Sequence, residues 1–217
     1  MAEKNNRFKL NNEGSALVTV LIVALFISIL ATTILYLASR NYIMKQTDRK
    51  NKESFYETEA TVETIKAHLE IMASMAYEEA FGTTLSQYAS VDTNTRTQTF
   101  FNAFINSFSN QWNADMALSP NFYQGLETAN PLVHVISSGT LDTADATASG
   151  KRAVYVRGVT VEYENTDGYY SKITTDFLIE IPLINLGVDQ YTAVDEAVSS
   201  NDKNTAELVQ YTNWERE

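Results

Sequence analysis

The first hydrophobic pattern in this chain is an unbroken apolar stretch near its start. Residues 15–39 are 25 uncharged residues, most of them apolar, and they follow a short polar leader at residues 1–14. About 20 residues of α-helix, at 1.5 Å rise each, cross the hydrocarbon core of a bilayer. The pattern therefore predicts a membrane-spanning helix over residues 15–39.

The second pattern extends this helix, because neither Gly nor Pro interrupts residues 15–81. Beyond the span, segment 40–82 is first basic and then amphipathic, with Gly82 as the predicted stop signal. A break within residues 41–48 is the alternative to one continuous helix. Apolar positions spaced by three and four predict a stripe that packs on a head domain: Phe55, Thr58, Val62, Ile65, Leu69, Met72 and Ala76.

Residues 83–217 are predicted to form a globular α+β head. Recurrent aromatic side chains predict a second helix over residues 95–116, between loops at 83–99 and 117–131. Alternating apolar and polar residues predict three strands, at 132–137, 153–163 and 169–181. An Asp-Gly turn predicts a hairpin between the last two strands, and Gly158 predicts a bulge or a close backbone approach.

The tail, residues 187–217, is acidic and poor in large apolar side chains until residue 208. Residues 208–214 have the composition of an edge strand. The predicted fold class is therefore α+β, with a long N-terminal helix packed on a small antiparallel β-sheet head, a lollipop arrangement.

Composition argues against catalysis. The chain has no cysteine, so it has neither disulfides nor a cysteine-ligated metal or haem site. Its two histidines are too few for a zinc triad, and no glycine-rich phosphate loop is present. His68 is predicted to be solvated, and His134 to be a packed or surface side chain of a strand. We therefore expect a protein that is not an enzyme.

No cofactor is predicted, with calcium in acidic loops as the alternative. Asp92 to Asn94 begins like a calcium loop but lacks the central glycine and the closing glutamate of an EF-hand. The remaining candidate ligands, which are otherwise solvated loop carboxylates, are Asp142, Asp145, Asp167 and Asp189.

Charge is divided unevenly along the chain. Residues 1–52 hold eight Lys or Arg against three acids, net +5, and residues 53–217 hold eight against 24, net −16. A head this acidic repels phosphate backbones, so we expect no nucleic-acid partner. A basic cluster follows the span: Arg40, Lys45, Arg49, Lys50 and Lys52. Under the positive-inside rule this cluster favours a cytoplasmic head, although a basic helix can also lie on anionic headgroups.

Three hypotheses fit the junction of leader and span. A secretory signal peptide has a shorter apolar core, and only Leu37-Ala38-Ser39 resembles its cleavage site. A plain single-span anchor is the second hypothesis. The third rests on a leader that carries Lys and Arg, ends at Gly14 and meets the apolar helix at Ser15. This junction resembles the prepilin leader of type IV pilins and type II secretion pseudopilins.

A second resemblance lies after the span, where Phe55-Tyr56-Glu57-Thr58-Glu59-Ala60 is similar to the Phe-Tyr-x-x-Glu-Ala stretch of PilX-type minor pilins. The resemblance covers roughly the first 65 residues. It implies cleavage after Gly14 by a prepilin peptidase and methylation of the Ser15 amine. It also implies a single-pass membrane protein that becomes part of an extracellular filament, packed against other pilin subunits through its N-terminal helix.

One departure from the family narrows the prediction. Most pilins have a glutamate as the fifth residue after the cut, and this chain has Thr19 there. Minor pilins and tip pseudopilins often lack that glutamate. Within the span, Ala24, Ser28 and Thr32 recur every four residues, a spacing that suits close helix packing in a filament core.

The resulting hypothesis is a minor, pilin-like structural subunit of a type IV pilus or related filament, at the tip or in assembly initiation, whose head caps the filament or is adhesive. One alternative is a pseudopilin of a type II secretion or competence system. The other is a single-span membrane-anchored binding or sensor protein.

Overall fold

The N-terminal helix is the longest element of the chain. A computed structural model describes residues 12–144, 153–181, 184–195 and 208–216, with side chains from residue 16 onward. Helix α1 runs from Asn12 to Ser86, 75 residues, without the break considered at 41–48. The chain divides into two compact units, residues 1–50 and 51–217, and the hydrophobic core described below belongs to the second.

The predicted helix stop at Gly82 is wrong, because α1 continues for four residues beyond it. Thr84 is 1 % exposed and its hydroxyl donates to the Ala80 carbonyl, while Leu85 packs against the core. Tertiary packing of these two side chains therefore outweighs the low helix propensity of one glycine.

Gly82→Ala is expected to raise the free energy of unfolding by about 0.5–1 kcal/mol, because alanine loses less backbone entropy in a helix. A Cβ at Gly82 would meet nothing within 4 Å. Chemical denaturation of the full chain in detergent micelles measures the change. Gly168→Ala is the matched control, since its Cβ is equally uncrowded but its φ is +80°, and it should destabilise. A loss of stability in the Gly82 variant would contradict the expectation.

Helix α2, Thr93–Ala117, confirms the predicted second helix. Asp92 caps it by accepting a hydrogen bond from the Thr95 backbone N–H. Its buried side chains include the predicted aromatic stripe: Phe100, Phe101, Phe104, Phe108 and Trp112. Because α1 ends later and α2 begins earlier than expected, the predicted loop at 83–99 shortens to a turn.

Helix α3, Phe122–Ala129, lies where the sequence predicted only a loop at 117–131. Its start is marked by a capping box, in which the Asn121 and Gln124 side chains each accept a hydrogen bond from the other residue's backbone N–H. Eight residues are too few for a persistent periodic pattern, so packing decides whether this segment becomes helical.

The described residues of the head also form four antiparallel strands, in the spatial order β1-β2-β3-β4. They are Val133–Asp142, Ala153–Glu164, Tyr170–Glu180 and Val209–Arg216. The predicted hairpin and the C-terminal edge strand are confirmed. Strand β1 is longer than predicted, because residues 138–142 also pair with β2.

The buried stripe of α1 shares one hydrophobic core with α2 and the sheet. Its largest fully buried side chains include Phe100, Phe104, Phe108, Phe177 and Ile65. The predicted α+β fold class, a long apolar N-terminal helix with an antiparallel sheet, is confirmed.

Candidate functional site

The apolar stretch of α1 is the first surface with functional character. Its large apolar side chains are about half exposed or more; Leu17 is 70 % exposed and Leu37 is 55 % exposed. An 18-residue window here has mean hydropathy 2.7, and none of it is buried. Apolar surface of this extent is unfavourable in water and favourable in hydrocarbon. The helix is therefore long and apolar enough to cross a membrane.

Hydroxyl groups within this stretch bond to the backbone of their own helix. Ser28 Oγ donates to the Ala24 carbonyl at 2.8 Å, and Thr32 Oγ1 donates to the Ser28 carbonyl at 2.6 Å. Thr33 Oγ1 donates to the Ile29 carbonyl at 2.8 Å. Because a hydroxyl without a partner is costly in hydrocarbon, these bonds make the stretch compatible with a bilayer.

The three residues of the predicted packing stripe, Ala24, Ser28 and Thr32, are all exposed. The hydroxyls of Ser28 and Thr32 already donate to carbonyls of their own helix, so the three residues offer a shallow surface to a neighbouring helix without needing a hydrogen-bond partner from it. Their role in packing against other subunits stays a prediction, since it requires a second helix.

The predicted processing site lies near the start of the described part of α1. The helix includes Gly14 and Ser15, so their backbone is helical. Cleavage between them stays a prediction. Thr19 is exposed on the same helix.

Arg40 is the first charge after the apolar stretch. Its Nε donates to the Tyr36 hydroxyl at 3.0 Å, and its guanidinium carbon lies 5.5 Å from the centroid of that ring. A tyrosine that pairs with an arginine one turn later presents a ring to hydrocarbon and a polar end to water. This pair suits the boundary of a membrane span.

The structure buries the predicted head-packing stripe. Val62, Ile65 and Leu69 are 0 % exposed and Met72 is 3 % exposed. Phe55 is partly buried against the same core, and the Arg216 guanidinium lies 4.1 Å from its ring centroid. These side chains fix the second half of α1 to the head.

His68 lies where three helices meet, so its predicted solvation is wrong. Its ring stacks on Phe122 of α3, with centroids 3.8 Å apart and planes inclined by 6°. Its Nε2 is 3.6 Å from Oδ2 of Asp115 in α2. Neither atom, nor the Tyr123 hydroxyl, has a hydrogen-bond partner among the described residues. The error follows from missing α3, which covers this face of α1.

Burial sets the protonation of this cluster. It lowers the pKa of His68, an effect that the Asp115 carboxylate partly offsets. Burial also raises the pKa of Tyr123, and the charge of Asp115 adds to this. At neutral pH His68 is therefore mostly uncharged, and it can gain one proton as the pH falls.

Asp142 and Asp189, two of the candidate calcium ligands, bond to nearby protein groups. Asp142 Oδ2 accepts from Arg157 Nε at 2.8 Å, which lowers the pKa of Asp142. The Asp189 carboxylate accepts from the hydroxyl of Thr192 at 2.6 Å and from its backbone N–H at 3.1 Å, and both bonds lower the pKa of Asp189. Each carboxylate thus stabilises local structure.

Asp167 and Asp145 complete that set. The Asp167 backbone N–H donates to Asn165 Oδ1 in the hairpin turn, and Asp145 lies outside the described residues. Across residues 12–144, 153–181, 184–195 and 208–216, no group of three His, Cys, Asp or Glu side chains is placed to hold a metal ion.

Three strands of the sheet each contain a residue with positive φ, and of these only Gly158 was singled out by the sequence analysis. Gly139, Gly158 and Asn213 all have positive φ, on β1, β2 and β4. Asp176 of β3 links two of them, accepting from the Gly158 N–H and from Asn213 Nδ2, each at 2.7 Å. Arg157 lies 4.0 Å from the same carboxylate. Asp176 and Asn213 carry no local signal, because their role depends on strand pairing.

The chain was compared with protein-family models, curated proteins and solved structures. No family model, no curated protein and no solved structure significantly matches this chain.

Proposed function

We propose that this chain is a minor, pilin-like structural subunit of a type IV pilus or related filament, cleaved after Gly14. The observation that carries the proposal is the uncharged, exposed apolar surface that begins at Ala16 and continues, in one helix, into the packed stripe of the head. The apolar half of the helix can be buried in lipid or among other helices, while the second half belongs to a folded head.

Cleavage before the apolar helix would leave that surface on the mature protein. Once out of the bilayer, it must be covered by other apolar surface, and a bundle of identical or related helices supplies this. The exposed stripe of Ala24, Ser28 and Thr32 supports close approach of such helices. Assembly thus exchanges lipid contacts for helix contacts.

Thr19 supports a place at the tip or in initiation. A carboxylate at this depth would be costly unless it paired with a neighbour's N-terminal amine, and Thr19 avoids both the cost and the pairing. A subunit that makes no such pair is suited to a position with fewer neighbours. The head would then cap the filament or present an adhesive surface.

The test is the mass of the mature N-terminus when the full chain is coexpressed with a prepilin peptidase. We expect a chain beginning at Ser15, with a methylated amine, because the peptidase removes the leader after Gly14. Gly14→Val should block cleavage by adding a branched side chain beside the scissile bond. Asn12→Val is the matched control and should still be processed. An unprocessed Met1 in the unaltered chain would overturn the proposal.

A single-span membrane-anchored protein is the second candidate, and the basic cluster after the span favours it. The cluster is Arg40, Lys45, Arg49, Lys50 and Lys52. If it fixes orientation, the head lies in the cytoplasm. Protease added to intact cells distinguishes the candidates, since only an outward head is digested. Labelling confined to short assemblies in the envelope would instead favour a secretion pseudopilin.

A further inference from the structure

We propose that Lys45 and Arg49, on α1 just beyond the apolar stretch, bind the headgroups of anionic phospholipids at that end of the span. The partner is a lipid surface, recognised by the net negative charge of its headgroups. The site belongs to the chain while it is embedded in a bilayer, so it holds equally for a filament precursor and for a single-span anchor. It goes beyond the proposed function, which concerns cleavage and assembly.

The apolar stretch is longer than the layer that it crosses. Residues 16–39 are 24 residues of helix, about 36 Å at 1.5 Å each, and the hydrocarbon core is about 30 Å thick. A span with such an excess tilts, or its ends extend into the headgroup layer. The Arg40 Nε donates to the Tyr36 hydroxyl at 3.0 Å, which suits a position at the border of hydrocarbon and headgroups. In a bilayer, Arg40 therefore lies at the headgroup layer.

Lys45 and Arg49 lie within reach of the same layer. They are five and nine residues beyond Arg40, about 7.5 Å and about 13.5 Å along the helix axis, and tilt reduces their height above the core. Both side chains are exposed. The headgroups add about 5–7 Å on each side of the core, and long basic side chains extend their charges toward them. Screening at physiological salt acts over about 8 Å, so both charges interact with a charged lipid surface.

Tyr42, Lys45 and Arg49 share one face of α1, because they are spaced by three and four residues. Tyr42 is 68 % exposed. A tyrosine beside two cations suits a membrane interface, where the ring packs among headgroups and the cations attract negative charge. Residues 40–52 hold five Lys or Arg and one acid, Asp48, so the segment has a net charge of +4.

The charge of the head restricts this attraction to the segment after the span. Residues 53–217 have a net charge of −16, so an anionic surface repels the head. The whole chain is also acidic, with a net charge of −11. If such a chain gathers anionic lipid, the attraction must come from a local basic site and not from its overall charge.

Spin-labelled lipids test the proposal on the full chain, reconstituted in phosphatidylcholine vesicles. Trace phosphatidylglycerol or phosphatidylcholine carries the label near the end of one acyl chain. The fraction of label immobilised at the protein surface gives a relative association constant. A cation near the surface changes the affinity for an anionic lipid about fivefold, and averaging over all lipid positions around the helix lowers the measured value.

We expect phosphatidylglycerol to be preferred about twofold to fivefold at about 0.02 M salt. The preference should disappear at about 1 M NaCl, where the screening length is about 3 Å. Equal association of the two lipids at low salt would overturn the proposal. A preference that persists at high salt would also overturn it, because it would not be electrostatic. Both measurements use the unaltered chain, so they do not depend on how a variant folds.

Variants assign the preference to the proposed site. Lys45→Gln combined with Arg49→Gln removes two positive charges and should bring the preference close to one. Lys66→Gln combined with Lys172→Gln is the matched control, because it removes the same charge from the head, where both lysines pair with glutamates. The control should retain the preference. A full preference in the first variant, or an equal loss in both, would contradict the proposal. The mass of the mature N-terminus decides the proposed function separately.

Discussion

Phe108→Ala is expected to lower the free energy of unfolding by about 3–5 kcal/mol, the range for truncating a buried phenylalanine. Phe108 is 0 % exposed, and its ring is near-parallel to that of Phe104, with planes inclined by 9° and centroids 6.4 Å apart. The substitution removes a ring from the layer between α2 and the rest of the core, and close-packed neighbours refill such a cavity only in part. A loss of this size is a large fraction of the 5–15 kcal/mol typical of a folded domain.

Guanidinium denaturation in detergent micelles, followed by tryptophan fluorescence, measures this loss. Tyr56→Ala is the control, because Tyr56 is an aromatic residue of the same unit that is 62 % exposed. Its effect should stay within about 0.5 kcal/mol, as is usual for surface positions. A cost below about 1 kcal/mol for the Phe108 variant would contradict close packing of the α2 stripe.

Patterns that repeat over many residues were predictable from sequence. The span is a continuous apolar run, and the stripe from Val62 to Met72 and the aromatic face of α2 repeat with a helical period. In each, local pattern and final structure agree. The hairpin turn at Gly168 was predictable because its turn residues demand a positive φ.

Short elements and non-local pairings were not predictable in the same way. Helix α3 has eight residues and is stabilised by side chains distant in sequence, such as His68. Without α3, the pattern assigned His68 to solvent, although the capping box of Asn121 and Gln124 was a local signal of its start. Helix α1 continues beyond Gly82 because packing of the side chains that follow it outweighs the low helix propensity of glycine.

Gly139→Ala is expected to lower the free energy of unfolding by about 2–5 kcal/mol, from two sources. Gly139 has φ +85°, where an L side chain costs about 1–2 kcal/mol. An added Cβ would also lie 2.8 Å from Val159 Cγ2, 2.9 Å from Val156 Cγ1 and 3.0 Å from the Arg157 carbonyl oxygen. Overpacking of this kind costs about 1–3 kcal/mol, and the carbonyl cannot rotate away as a side chain can.

Gly158→Ala is the matched control for the crowding at Gly139. Gly158 also has positive φ, +73°, but a Cβ there would meet nothing within 4 Å. It should therefore show the backbone cost alone, about 1–2 kcal/mol, and the difference between the two variants measures crowding at β1. Denaturation midpoints at equal m-values give that difference. If Gly139→Ala cost no more than Gly158→Ala, β1 would be free to move away from β2, and its close pairing near Gly139 would not be required for stability.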